Sequence, residues 1–170
     1  MQKSVIKRYA GLYRNGIEGR IKSLSITHPY GTESTAGTKP STFTQLTRIN
    51  QIGAITLENE QIDASALEDF LQKNIAGRAS TPGNIGVTVN LTDATKTEWE
   101  TLISTYKALT GGMQMWFEII IPGITEGYFF IAQPPQEMPS PEIGQNELLT
   151  VEMSLTIVDV KAFDTAVSFS

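Results

Sequence analysis

The sequence predicts a mainly β protein, a β-sandwich or partial barrel with one flanking α-helix over about residues 93–109 and long assembly loops. Three observations carry this: two segments of period-two alternation, a helical apolar stripe between them, and a composition rich in Thr. β-Branched residues suit a half-buried strand better than a helix interior. Ile85, Val87, Val89 and Leu91 alternate with Gly86, Thr88 and Asn90, so one face of that strand is buried. Trp99, Leu102, Ile103, Tyr106 and Leu109 then recur at helical spacing as one stripe. Thr95 with Glu98 offers a capping box for this helix, and Thr92 or Asp93 offers a cap one turn earlier. Gly111-Gly112 stops it, because glycine enters the left-handed cap without a side-chain clash. Leu149, Val151, Met153, Leu155 and Ile157 alternate with Thr150, Glu152, Ser154 and Thr156, a long strand with one dry and one wet face.

The remaining elements follow in chain order. Residues 1–20 read as a basic arm, and Arg20 to Thr27 as a strand ended by His28-Pro29. Residues 30–42 are almost free of apolar side chains and read as a mobile loop, long enough to be functional or disordered. Phe43 to Ile49 has strand character, and Gly53 separates it from a short strand over Ala54 to Leu57. Ser65 to Leu71 fits two helical turns with Ser65 and Glu68 as a capping box, and Arg78 to Asn84 carries turn chemistry around Pro82-Gly83. Met113, Met115, Phe117, Ile119 and Ile121 form one face of a further strand, with Gln114, Trp116, Glu118 and Ile120 on the other. Tyr128 to Ala132 returns beside it. Residues 133–146 then contain four prolines and form a second loop.

With 170 residues the chain has the length of a single domain, residues 1–170. Hydrophobic residues make up 40% and charged residues 18%, the balance of a globular protein with a surface rich in uncharged polar groups. There is no cysteine, so neither a disulfide nor a thiolate metal site is available. No apolar run approaches a membrane span, and the basic N-terminus lacks the apolar run of a signal peptide. Charge is polarised: residues 1–50 hold eight Lys/Arg against two Glu, net +6, and residues 51–170 hold five Lys/Arg against sixteen Asp/Glu, net −11. Opposite patches of this kind bring copies together head to tail, unless both are merely solvated faces.

No catalytic, cofactor-binding or metal-binding residues emerge. His28 is the one histidine, which leaves no His-paired metal site and no spare histidine for a triad. Glu58, Glu60 and Asp63 crowd one segment, but their spacing fits no EF-hand loop, and a solvated or interface-lining cluster is the simpler reading. Gly83 to Gly86 lacks the context of a dinucleotide loop, and no phosphate-cradling Gly-Lys-Ser/Thr run exists. Lys3, Lys7, Arg8 and Arg14 with Tyr9 and Tyr13 form a charged, aromatic arm suited to nucleic acid or, given the net acidity, to another subunit. Met113, Met115 and Trp116 have the spacing of a strand facing a core rather than of a ligand pocket.

Ile62-Asp63-Ala64-Ser65-Ala66-Leu67-Glu68-Asp69, the Gly86 to Leu91 strand before the Trp99 helix, the Phe117 to Pro122 strand with its Phe129-Phe130 return, and the Thr150 to Val158 strand together carry a resemblance. In this order the chain resembles the major tail tube proteins of long-tailed bacteriophages, over roughly residues 43–160. The resemblance implies a non-enzymatic virion protein, made in the bacterial host cytoplasm, that assembles with itself into stacked hexameric rings forming a channel for phage DNA. It implies tape measure, tail terminator and distal tail proteins as partners, no cofactor and no membrane. It also implies that a long early loop orders on assembly, and Tyr30, Gly31, Thr32, Glu33, Ser34, Thr35, Ala36, Gly37, Thr38 and Lys39 occupy that place as candidate inter-subunit residues. The polar residues Thr150, Glu152, Ser154 and Thr156 are the candidate lumen-facing set, as a water-filled channel wall requires. The alternative is a non-enzymatic binding module of lectin or adhesin type.

Overall fold

A computed structural model describes residues 29–63, 74–80, 83–121, 123–141, 143 and 148–167. The basic arm, the strand before Pro29, His28 and the two turns at Ser65 to Leu71 lie outside the described residues. The strands in order are β1 (Tyr30–Thr32), β2 (Ile49–Ile52), β3 (Glu58–Asp63), β4 (Asn74–Ser80) and β5 (Asn84–Asn90). The helix α1 (Asp93–Lys107) follows, then β6 (Met115–Ile120), β7 (Glu126–Gln133) and β8 (Thr150–Thr165). Six strands form one antiparallel sheet in the order β1-β6-β7-β8-β5-β2, open at both edges, and β3 and β4 pair separately as a hairpin. The fold is therefore mainly β with one flanking helix among the described residues.

The strands predicted by alternation are present. Ile85, Val87 and Val89 of β5 and Val151, Met153, Leu155 and Ile157 of β8 are buried, in an antiparallel register that sets Val87 opposite Met153 and Ile85 opposite Leu155. α1 lays Trp99, Leu102 and Ile103 on this face of the sheet, and Met115, Phe117, Phe130 and Ala132 from β6 and β7 complete the cluster. Its N-cap is Thr92, one turn earlier than the Thr95 and Glu98 pairing. Thr92 accepts from the Thr95 N–H while Thr95 Oγ1 accepts from the Thr92 N–H at 2.8 Å. Glu98 is used elsewhere: its carboxylate accepts from the Thr47 N–H at 2.9 Å and from Thr47 Oγ1, tying α1 to the segment before β2.

Five expectations are corrected. Tyr30–Thr32 is a strand, because its backbone pairs with Met115 to Phe117 of β6, and Tyr30 also bridges to Thr44. The early strand lies at Ile49–Ile52 rather than across Phe43 to Ile49; Arg48, at φ 54, turns the chain immediately before it. Ala54 to Leu57 is not a strand, and Arg78 to Ser80 belongs to β4 rather than to a turn. β8 reaches Thr165, well beyond the alternation that reveals its start.

Candidate assembly surface

The face of the sheet turned away from α1 divides into an open half and a covered half. In the open half, Glu152, Ser154 and Thr156 of β8 are exposed and Thr150 is half-buried, alternating with the buried core residues of the same strand. The β5 register sets Asn90, Thr88, Gly86 and Asn84 opposite Thr150, Glu152, Ser154 and Thr156, so four cross-strand pairs without an apolar side chain share this face. Thr156 Oγ1 donates to Asn84 Oδ1 at 3.0 Å. Gly86 leaves room for the Glu152 side chain, whose carboxylate lies where a Cβ would stand. β8 adds an open edge to this surface. From Thr150 to Thr156 it pairs with β5, but from Val158 onward its one partner among the described residues is β7.

In the covered half, the early loop folds back across β6 and β7. Glu33 is buried and is the loop's anchor. Its Oε1 accepts from Trp116 Nε1 at 2.8 Å, and its Oε2 accepts from the Gly37 N–H at 3.0 Å and the Gln114 N–H at 3.1 Å. Burial alone would raise its pKa, but these three donors and the Lys161 charge together hold it below the ordinary carboxylate range. Lys39 stands 3.8 Å above the Phe129 ring and donates to Asp164 Oδ2 at 2.8 Å. Under this cover lies a second apolar cluster of Phe43, Trp116, Phe129 and Ile131.

The predicted inter-subunit residues thus separate. Tyr30, Gly31 and Glu33 are buried inside the subunit, Thr32 and Lys39 are half-buried, and Ser34, Thr35, Ala36, Gly37 and Thr38 stand exposed. Met115 and Trp116 are both buried, on opposite faces of β6, while Met113 is half-buried. The structure does not bring the early loop onto the Thr150 to Thr156 face.

Sequence reasoning missed the β3–β4 hairpin. All six residues of β3 are exposed, including Glu58, Glu60 and Asp63. No apolar periodicity marks a strand that buries neither face. One usable signal was Gly77, where a Cβ would press on the Glu60 carbonyl across the pair. The grooves formed by the described residues bring no convergent set of catalytic groups together. One of about 380 Å³ lies between α1 and the chain at Thr44 to Leu46, and its carboxylate, Glu98, is the one already bonded to Thr47. No set of three His, Cys, Asp or Glu is close enough to hold a metal among the described residues.

No known protein family matches the sequence, and no curated protein matches it. Solved structures do share the fold. A chain of the tail of an empty gene transfer agent particle, refined with C6 symmetry, superimposes with a TM-score of 0.52 at 14% identity, covering 83% of this chain and 95% of that one. A chain of the native gene transfer agent virion (TM-score 0.48, 16% identity, 72% of this chain and 89% of that one) is also similar. So is one from the baseplate of the anti-feeding prophage (TM-score 0.48, 15% identity, 82% and 92%). The class defined here is a mainly β, helix-flanked fold shared with a component of a phage-like tail. In particular, it is the fold of the gene transfer agent tail chain over nearly that chain's whole length.

Proposed function

We propose that this chain is a structural virion protein, a major tail tube subunit that assembles with itself into stacked, six-membered rings enclosing the channel for phage DNA. The observation that carries this reading is the exposed polar face of β5 and β8, which backs directly onto the main core and runs into an edge of β8 that is unpaired among the described residues. Thr150, Glu152, Ser154 and Thr156 line the lumen, where small uncharged groups and one carboxylate repel sliding phosphate rather than trap it. An open strand edge is a template for pairing with another chain, and self-assembly uses it instead of leaving it as a hazard. The exposed tip Ser34 to Thr38 and the acidic β3–β4 hairpin reach neighbouring subunits, with the basic residues 1–50 as their electrostatic counterpart. Tape measure, tail terminator and distal tail proteins meet the ends of the tube. The protein is made in the host cytoplasm, works in the virion, and carries out no catalysis.

Negative-stain microscopy of concentrated protein tests the reading: hollow tubes or rings are expected, and a protein that stays monomeric at every concentration would overturn it. Because the chain has no cysteine, Ser154→Cys introduces a unique thiol. In tubes that thiol should resist a bulky maleimide that modifies the monomer; equal labelling in both would remove these residues from the lumen. Thr35→Glu with Ala36→Glu keeps the Glu33 and Lys39 anchors and should yield folded subunits that fail to form tubes. Normal tubes from that variant would end the loop's assigned role.

A further inference from the structure

Glu118 plays no part in the assembly reading, yet it is the most unusual side chain in the molecule. It is completely buried on the covered face, its Oε2 has no hydrogen-bond partner among the described residues, and its carboxylate lies on Gly127 of β7, where a Cβ would collide with it. Its cover is the short segment that follows β8. Lys39 Nζ donates to the Thr165 carbonyl at 2.8 Å, and the Val167 N–H donates to Glu118 Oε1 at 3.2 Å. The Val167 side chain packs on the cluster of Phe43, Trp116, Phe129 and Ile131.

Among the described residues, the charged groups around this site come from two elements. The early loop contributes Lys39 and Glu33, and β8 contributes Asp164 and Lys161. β7 presents Gly127, Phe129 and Ile131 here, none of which titrates. Asp164, bonded to Lys39, is held below its ordinary range and stays ionised where Glu118 titrates. The Glu33 carboxylate is likewise held low by its three donors. Glu118 alone is pushed up, by burial; the Val167 N–H and the Lys39 charge offset only part of that.

When the segment lies down, Glu118 gains one hydrogen bond and loses water from both oxygens. An ionised carboxylate with one bare oxygen in a dry site is costly, whereas a neutral carboxyl is tolerated. We propose that Glu118 is a proton-controlled latch: residues 166–167, just past β8, stay docked on β6 and β7 while the carboxyl is neutral, and lift when the carboxyl ionises and takes up water. Lifting takes Val167 off the cluster of Phe43, Trp116, Phe129 and Ile131, which Glu33 and Lys39 of the early loop still cover.

The direction follows from linkage. With the segment lifted, Glu118 titrates in the ordinary carboxylate range; with it docked, the value is higher. Docking is therefore strongest below the ordinary range and weakens as pH rises toward the docked value. Amide exchange at Val167 in the full chain, corrected for the intrinsic rate at each pH, reads this directly. Protection should fall as pH rises above the ordinary carboxylate range, about tenfold for each unit separating the two values, and level off above the docked value. Glu118→Gln should make it flat. Constant protection in the natural protein, or the same profile in Glu118→Gln, would overturn the latch. A second measurement needs no variant: the carbon-13 shift of the Glu118 carboxyl should titrate above the ordinary range, and a midpoint inside that range would equally overturn it.

Discussion

β6 and β7 separate two apolar layers built on different principles. On the α1 side, Trp99, Leu102 and Ile103 meet strand residues that alternate in the sequence, and apolar packing makes the layer. On the other side, four apolar residues are capped by a loop and a tail fastened through Glu33, Lys39 and Glu118. The first layer is a core in the usual sense, and its cost of disruption is a packing cost. The second is a cover, held by a few charge-assisted contacts, which makes it sensitive to pH and separable from the rest.

Leu102→Ala should distinguish the layers most sharply. It leaves a cavity in a fully buried site and should lower unfolding free energy in urea by about 2–5 kcal/mol, with both layers lost together. Glu33→Ala acts on the cover. It strands the Trp116 indole N–H and two backbone donors and should cost about 1–3 kcal/mol. Because the Glu33 pKa is lowered in the fold, its stabilisation is present above the ordinary carboxylate range and is lost as pH falls through the lowered value. Urea midpoints measured down an acid series should converge for the natural protein and Glu33→Gln. Persistence of the gap at the acid end would refute that account.

Smaller effects are expected from the backbone and from Lys39. Ala162 sits at φ 60 beside a register shift between β7 and β8. Ala162→Gly should relieve a left-handed conformation and raise stability by about 1 kcal/mol, read by thermal unfolding. Lys39→Met keeps an apolar chain over Phe129 but removes the cation, and should cost about 0.5–1 kcal/mol. Val167 exchange should rise in that variant while core amides in β5 stay protected.

Much of the main layer was legible. The alternation of Ile85 to Val89 and of Val151 to Ile157, and the stripe from Trp99 to Ile103, each report a buried face through local spacing alone. The polar set Thr150, Glu152, Ser154 and Thr156 was legible for the same reason, as the opposite phase of one strand. The loop at Glu33 and Lys39 was not, since its apolar content is low and its anchors are charges whose partners lie 83 and 125 residues away. The β3–β4 hairpin was hidden because periodicity reports burial, and β3 buries nothing.

The sequence by itself determined which residues face the main core, because period-two and helical spacing are properties of local backbone geometry. Tertiary structure alone decided what covers the opposite face of β6 and β7. There the loop, the end of β8 and a buried Glu118 meet through contacts that no local spacing encodes, and the donors or the dryness around each carboxylate set its pKa.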